Sequence, residues 1–377
     1  MKKNLKKSKG YLNELYSDTE SDTESTSSYS EYMDDWNELF NQVEKPKIIN
    51  YCDLFCGLGA FHKAFDLFSN ANKDIKYNCV FACDIDEGIQ KLYQENYNIM
   101  PHGDINKIDL DTLPNIDILC AGFPCQSFSI AGNQDGFNNK EKGNLFFSVL
   151  KVIDKKKPNT IILENVKNLT SINNGETFKT IINELEKRGY KVSHNIINSK
   201  YYNCAQSRQR VFIVCQKNKK YQFPNIKNKI IPVSSILDNT VTDYFDYNKK
   251  YFLEENKNQN NLENDSDDEN NGCKMVYKLI NKETKKGGRQ GERIYSINSC
   301  GPTICASSGG PGAKTGFYLV DSILMKIRTL TVKESLKMFN FNEDYKRTTV
   351  PNDNDMLFYL GNSIIVNVVY EIIKNLN

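Results

Sequence analysis

Short apolar runs alternate with helix-forming segments between Lys47 and about residue 216, and this alternation restricts the fold more than any other feature of the chain. Between the runs, apolar residues recur at helical spacing, as in Phe61, Ala64, Phe65 and Phe68. Strands that alternate with helices of this length predict a mostly parallel, doubly wound α/β sheet. Five runs have the composition of buried strands: IINYCDLF (48–55), NCVFACDID (78–86), NIDILCAG (115–122), NTIILENV (159–166) and RVFIVCQ (210–216).

The remaining segments predict a tail and a second, smaller domain. Residues 1–46 are poor in apolar residues and carry 6 Lys against 10 Asp or Glu, so we expect a disordered Ser/acidic tail. Residues 47–230, completed by 328–377, are expected to form the large domain. Residues 231–327 are glycine-rich with short β-prone pieces, which favours a small domain with a flexible acidic insertion at about 250–272.

Composition and motif content argue against several classes of protein. The basic start MKKNLKKSKG is followed by polar residues instead of an apolar stretch, so no secretory signal is expected. The chain has 11 Cys and 3 His but no C-x-x-C pair, which favours reduced, buried thiols over a zinc site. No apolar run approaches the roughly 20 residues of a membrane span. We therefore expect an intracellular, monomeric protein in the cytoplasm or nucleus, with no metal.

The first chemistry-bearing motif is DLFCGLGAF (53–61), which joins the first strand to a helix. Glycines at such a junction let backbone amides approach a ligand at the helix N-terminus. Asp84 ends the second strand about 27 residues after Gly57, where a ribose-binding acid belongs. Asp104 could serve an adenine amino group. Each acid alone is more often a solvated loop residue, but together they predict a site for an adenosine-containing cofactor.

Cys125 lies in the stretch AGFPCQSFSIAG, directly after the third strand. The preceding proline stiffens the turn, and ligands of doubly wound sheets bind beyond the carboxyl ends of strands. Glu164 and Asn165 end the fourth strand and are expected at the same edge. A thiolate nucleophile beside an acid suits attack on an electron-poor ring. The alternatives are a small buried thiol for Cys125 and a cap or salt bridge for Glu164.

Two shorter motifs complete the pattern. Arg208 and Arg210 in QSRQRVFIV alternate along the chain, so both are expected on one side, holding a carboxylate such as Glu164 or phosphates. Surface salt bridges are the usual alternative. Residues 361–363, GNS, precede an apolar final helix and are expected to supply backbone donors and a helix cap. Ordinary capping would suffice if this motif stood alone.

Taken together and in this order, AGFPCQSFS, LENV, QSRQR and GNS resemble the cytosine-C5 DNA methyltransferase family from about residue 47 to 377. The resemblance implies a Rossmann-like S-adenosylmethionine-dependent methyltransferase domain with a smaller target-recognition domain, and double-stranded DNA as the partner. It implies that Cys125, followed by Gln126, adds to C6 of a flipped cytosine. Glu164 would engage N3 and the amine, Arg208 would hold the base and Glu164 with Arg210 beside it, and Asn165 would position the Pro-Cys loop.

The resemblance also implies a set of cofactor and DNA contacts. Ile85 follows the ribose acid where relatives often carry an aromatic residue, so packing on adenine is expected to be looser. GGRQGERIYS with GPTICASSGG resembles the recognition segment of bacterial enzymes that read GCGC. There Gln290 would fill the gap left by the flipped base, Arg293 would read guanine and Thr303 would contact the loop or backbone. The cofactor positions are Phe55, Gly57, Gly59, Asp84, Asp104, Ile105, Leu145, Asn362 and Ser363.

Two alternatives stay open at this point. One branch of the family acts on tRNA, although it typically has threonine soon after Pro-Cys-Gln, where this chain has Ser127-Phe128-Ser129. A catalytically silent DNA-binding relative would be expected to lose Cys125 or Glu164, and both are present. The sequence therefore favours an active DNA methyltransferase over both.

Overall fold

A six-stranded sheet forms the centre of the larger part of the molecule. The computed structural model describes residues 45–124, 145–256 and 272–376. The strands are β1 (Lys47–Leu54), β2 (Ile75–Cys83), β3 (Ile118–Ala121), β4 (Thr160–Val166), β5 (Lys191–Asn198) and β6 (Gln209–Gln216). Their order in the sheet is β2-β1-β3-β4-β6-β5. β3 pairs parallel with β1 and β4, whereas β6 runs antiparallel to β4 and β5.

Helices cover both faces of this sheet. Alternate strand residues point to opposite faces, and both faces carry buried apolar side chains that must be covered. Ile162 in β4 joins one hydrophobic cluster, whereas its neighbours Ile161 and Leu163 join another. The first cluster includes α1 (Ala60–Ala71) and part of α2 (Glu87–Tyr97), and the second includes α3 (Leu145–Lys156) and α4 (Glu176–Lys187). The predicted doubly wound α/β architecture is therefore confirmed.

A second sheet lies entirely within residues 251–328. It contains β7 (Tyr251–Glu255), β8 (Met275–Asn281), β9 (Arg293–Ser296), β10 (Phe317–Asp321) and β11 (Lys326–Arg328), in the order β11-β10-β9-β8-β7. Leu279, Ile294, Phe317 and Ile327 form its own small core. The boundaries proposed for the two domains stay predictions. The flexible insertion was expected at about 250–272, and this predicted start is too early. Residues Tyr251–Glu255 are a strand that pairs with β8, because Tyr251 and Leu253 alternate towards the small core.

The C-terminal segment differs from the single helix expected. After α5 (Val332–Met338), it contains α6 (Asp353–Asn362) and α7 (Val366–Lys374), separated at residues 363–365. Asn362 ends α6 and Ser363 is its C-cap, so GNS does not cap the start of the final helix. The N-cap of α7 is Ile365, which makes no side-chain cap. The GNS turn therefore redirects the chain between two helices.

Asp353–Lys374 is long and apolar enough, taken as one segment, to meet the length and hydropathy of a membrane-spanning helix. This differs from the expectation that no such run exists. However, 61% of its most apolar window is buried inside the protein, and α7 packs against α1. A break between two helices and burial in the core are the properties of core helices, so the match to a membrane span is weak.

Candidate active site and nucleic-acid cleft

A cavity of about 530 Å³ opens beyond the carboxyl ends of β1, β2, β3 and β4. This is the edge of a doubly wound sheet where ligands bind. Eight of the nine residues expected to hold a cofactor line it, and they come from five separate parts of the chain. The eight are Phe55, Gly57, Asp84, Asp104, Ile105, Leu145, Asn362 and Ser363.

Gly59, the ninth expected residue, is not among those that line the cavity. It has a φ of 76° and is the N-cap of α1. A Cβ added there would lie 2.3 Å from Cε2 of Tyr97, whose hydroxyl donates to the carbonyls of Leu58 and Gly59. Glycine is needed at this position for backbone conformation and for close packing of the Tyr97 ring.

The loop after β1 is held directly to the acid that ends β2. The backbone N–H of Gly57 donates to Oδ2 of Asp84 at 3.0 Å, and that of Asp86 donates to Oδ1 at 3.1 Å. Burial raises the pKa of the Asp84 carboxyl, whereas the two backbone donors lower it. The carboxylate is therefore fixed in position at the cavity wall, where it can accept hydrogen bonds from vicinal hydroxyl groups.

Asp104 and Leu145 lie on the next part of the cavity wall. Oδ1 of Asp104 accepts hydrogen bonds from the backbone N–H and the side-chain amide of Asn106. Asn106 in turn accepts from the Ser148 hydroxyl at 2.6 Å. This chain of contacts links the segment between α2 and β3 to α3, which carries Leu145 at its start.

Two aromatic residues of the cavity were not found by reading the sequence. Phe358 and Tyr359 come from α6, and the Tyr359 hydroxyl donates to Oδ1 of Asp86 at 3.0 Å. The Phe358 ring is 45% exposed, and the Lys314 ammonium lies 5.7 Å from its centre. Their positions follow from the packing of α6 beside α2, for which a single sequence holds no signal.

Glu164 forms the inner wall of the cavity and is buried. Its Oε1 lies 3.2 Å from Nε of Arg210. Burial raises the pKa of Glu164, and the charges of Arg210 and Arg208 oppose this effect without cancelling it. A carboxyl group with a raised pKa close to two cations is suited to donate a proton or a hydrogen bond to a ring nitrogen.

Arg208 makes different contacts from those expected of it. Its guanidinium donates to the carbonyls of Ile304, Gly361 and Ser363 at 2.8–3.0 Å, and burial lowers its pKa to about 9. The ion pair with Glu164 comes instead from Arg210. Both arginines line the smaller cavity, as expected of residues on one side of the chain, but the Arg208 guanidinium donates to carbonyls at the break between α6 and α7.

Asn165 connects the end of β4 to the turn that carries the expected nucleophile. Its amide Nδ2 donates to the carbonyl of Phe123 at 2.8 Å, and Phe123 and Pro124 line the cavity. Cys125 and Gln126 themselves lie outside the described residues. The structure thus describes the chain up to Pro124, which lines the same cavity as Glu164 and Asn165.

A larger cleft of about 1130 Å³ meets the cavity at Val166 and Arg210, which line both. The three residues expected to contact DNA, Gln290, Arg293 and Thr303, lie on this cleft. The Gln290 amide donates to the Thr303 carbonyl at 2.8 Å, and the Thr303 hydroxyl donates to the Ser207 carbonyl at 2.8 Å. The recognition segment is therefore attached to the stretch that carries both arginines.

The groups around the smaller cavity suit an adenosine-containing ligand. They comprise the carboxylates of Asp84 and Asp104 and apolar side chains at Ile85 and Phe358. Within residues 45–124, 145–256 and 272–376, no group of three or more His, Cys, Asp or Glu side chains is placed to hold a metal ion.

Comparison with known proteins places this arrangement in a defined group. The family model described as C-5 cytosine-specific DNA methylase matches residues 49–377. The type II methyltransferase M.HhaI of Haemophilus parahaemolyticus is 32% identical over 339 residues, covering 87% of this chain and 94% of the relative. The type II methyltransferase M.HaeII of Haemophilus aegyptius is 34% identical over 318 residues, covering 84% and 89%.

Solved structures show the same fold at lower identity. The methyltransferase EhMeth of Entamoeba histolytica has a TM-score of 0.64 at 18% identity, covering 87% of this chain and 98% of its own. The S. pombe Dnmt2 methyltransferase has a TM-score of 0.61, also at 18% identity, covering 86% and 97%. Both likenesses concern the fold alone.

Proposed function

The chain belongs to the C-5 cytosine-specific DNA methylase family and is an S-adenosylmethionine-dependent DNA (cytosine-5-)-methyltransferase, and we propose that Glu164 and Arg210 bind the target base while it is methylated. The observation that supports this role is the position of the pair. Arg210 lines both the smaller cavity and the larger cleft, and Oε1 of Glu164 lies 3.2 Å from its Nε atom. A base that leaves the duplex in the cleft would meet this pair.

The smaller cavity is proposed to hold the cofactor, which supplies an electrophilic methyl group when bound. Asp84, fixed by Gly57 and Asp86, would accept from the ribose hydroxyls. Asp104 would accept from the adenine amino group, and Ile85 and Phe358 would provide the apolar walls. These residues are proposed to bind and orient the cofactor.

We propose that Cys125 performs the nucleophilic attack and that Glu164 transfers the proton. Cys125 would add to C6 of the cytosine as a thiolate, forming a covalent bond to the base. Glu164, with its raised pKa, would place a proton or hydrogen bond on N3, so that electron density moves to C5. Arg210 keeps Glu164 in position through the contact at 3.2 Å. C5 would then take the methyl group, whose bond to the cofactor's sulfur breaks, and loss of the C5 proton and of the thiolate would release the methylated base.

The cleft is proposed to hold duplex DNA. Extrusion of a base costs a few kcal/mol, which a side chain that fills the gap must partly offset. Gln290 is suited to that role once its bond to the Thr303 carbonyl is released. Arg293 is exposed in the cleft and can bind guanine O6 and N7. We propose a short GCGC-like target, and bisulfite sequencing of DNA from expressing cells would contradict it if methylation appeared at other motifs.

We propose that the protein methylates DNA as a monomer, in the compartment that holds the DNA of the cell. Residues of the same chain line both the cofactor cavity and the cleft. The names of the relatives also associate the family with type II restriction–modification. A companion endonuclease for this protein is not implied by any of its residues.

The decisive experiment measures transfer of a labelled methyl group from S-adenosylmethionine to duplex DNA and to tRNA, with Cys125→Ser in parallel. We expect labelling of DNA that disappears in the variant. Labelling of tRNA alone would contradict the choice of DNA as substrate. DNA binding without labelling of either nucleic acid would indicate a catalytically silent relative.

A further inference from the structure

Two cysteines outside the proposed reaction lie side by side on the wall of the cleft. Sγ of Cys273 is 3.8 Å from Sγ of Cys300, within hydrogen-bonding distance for two thiols. Cys273 is half-buried and lines the cleft, whereas Cys300 is fully buried. Neither is expected to touch the cofactor or the target base, so the pair needs a separate explanation.

The backbone holds these two residues in the relation that a disulfide requires. They are paired by a parallel β-bridge, and bridged chains lie about 4.8 Å apart, inside the range of about 4.4–6.8 Å between the Cα atoms of disulfides. The Lys274 N–H donates to the Ser299 hydroxyl at 3.0 Å, and the Ser296 N–H donates to the Lys274 carbonyl at 2.8 Å. A disulfide therefore needs side-chain rotation but no change of register.

The surroundings favour thiolate chemistry. A Cβ built on Gly272 would lie 3.2 Å from Sγ of Cys300 and 3.3 Å from Cδ of Lys200, so both side chains pack against Gly272. Donation from the Cys273 thiol and the charge of Lys200 lower the pKa of Cys300. The same hydrogen bond, together with burial, raises the pKa of the Cys273 thiol, so Cys300 holds the negative charge of the pair and can accept the Cys273 proton.

We infer that Cys273 and Cys300 form a reversible disulfide when the protein meets a hydroperoxide. Cys273 is reached from the cleft, and the Cys300 thiolate accepts its proton while the Cys273 sulfur attacks one peroxide oxygen. The O–O bond breaks, a sulfenic acid forms and hydroxide is released. The Cys300 sulfur then attacks the Cys273 sulfur, the S–O bond breaks, and the Cys300 proton leaves with the hydroxyl group as water. Two thiols are oxidised and one peroxide is reduced.

The bridge would link two parts of the cleft wall. Gly301, next to Cys300, donates to the Ala205 carbonyl and accepts from the Ser207 N–H, both at 2.8 Å. Residues 205–207 lead directly to Arg208 and Arg210. The disulfide would thus tie the start of the segment that enters β8 to the stretch that carries the arginines. This inference does not depend on the proposed residue roles, because it concerns oxidation and not methyl transfer.

The test is peptide mapping of the full-length protein after treatment with hydrogen peroxide, without reductant. Trypsin is expected to give residues 258–274 linked to residues 294–314, with a mass about 2 Da below the sum of the two. Dithiothreitol should separate them. Because 294–314 also contains Cys305, Cys305→Ser is the matched control and should keep the link.

Three results would overturn the inference: no link in the wild-type protein, a link lost in Cys305→Ser, or Cys273 found only as sulfinic or sulfonic acid. None of these outcomes requires Cys273→Ser or Cys300→Ser to fold. As an independent readout, oxidation should raise the thermal unfolding midpoint by several degrees and reductant should reverse the shift, since the cross-link restricts the unfolded chain. If the protein that carries the disulfide shows an unchanged midpoint, the disulfide distorts the folded state. That result would contradict a disulfide that needs only side-chain rotation.

Discussion

The Nε atom of Arg210 lies 3.2 Å from Oε1 of Glu164, on the wall where the smaller cavity meets the cleft. Both side chains are largely removed from water, so burial raises the pKa of Glu164 and lowers that of Arg210. Burying the two charges costs desolvation free energy. A ligand can interact with them when it enters the smaller cavity or the cleft. Such placement is typical of catalytic groups.

Glu164→Gln tests the role of the acid. The amide keeps the shape of the side chain but cannot donate a carboxyl proton to N3, so kcat should fall on the order of 10²–10⁴-fold. Affinity for S-adenosylmethionine should change little, because the adenosyl contacts lie elsewhere in the cavity. Methyl-transfer assays and calorimetric titration of the cofactor separate these effects. An equal loss in both would indicate a structural role.

Arg210→Met tests how the neighbouring charge sets the pH dependence. Removing the cation removes a term that lowers the pKa of Glu164, so the pKa should rise further. If the protonated carboxyl is the active form, activity is lost as pH rises through this pKa. The descending limb of kcat against pH should therefore move to higher pH. Arg210→Lys keeps the charge and should leave the limb close to that of the wild type, and identical limbs in both variants would contradict the assignment.

Gly59→Ala and Gly57→Ala separate packing from ligand binding. Both glycines have positive φ, but a Cβ at position 59 would overlap the Tyr97 ring, whereas at position 57 the nearest atom is 3.9 Å away. We expect Gly59→Ala to lower the free energy of unfolding by about 2–4 kcal/mol, and Gly57→Ala by about 1–2 kcal/mol. Urea denaturation measures the difference. Equal losses would show that backbone strain alone determines both.

Ile85→Trp should tighten cofactor binding. Ile85 is 74% exposed while lining the cavity, so its side chain covers little of a bound adenine. An aromatic ring at this position would add a stacking contact, which predicts a Kd for S-adenosylmethionine lower by about three- to tenfold. Ile323→Trp, at an exposed position that does not line the cavity, is the control. A gain in both variants would point to non-specific binding.

Asp53→Asn should stabilise the protein at neutral pH. Asp53 is fully buried, its Oδ1 has no hydrogen-bond partner, and burial raises its pKa well above the ordinary value. The folded state therefore holds this proton more tightly than the unfolded chain does, and stability is lost as pH rises towards the folded pKa.

Asparagine carries no such charge, so the variant should exceed the wild type by at least about 1 kcal/mol at pH 8 and by less at pH 5. Asp74→Asn, at an exposed position, should show no such trend. Urea titrations at both pH values measure this, and a gap that shrinks with rising pH would disprove the ionisation argument.

The sequence correctly predicted features that depend on local pattern. The apolar runs that end in Asp84 and in Glu164-Asn165 are strands, and the cavity lies at their carboxyl ends, because a parallel sheet brings those ends to one edge. Predictions that needed the position of a neighbouring element were less successful. The GNS turn was taken for a helix cap, although its Ser363 ends α6.

By itself, the sequence determined the α/β class, the family and a set of residues that meet at the smaller cavity, because strand and helix periodicity and short motifs are properties of neighbouring residues. Only the tertiary structure decided which arginine meets Glu164, that Gly59 serves the Tyr97 ring, and that Cys273 lies beside Cys300. Each of these contacts joins residues from different elements, and its distance is set by how helices and strands pack. No spacing along a single chain encodes that distance.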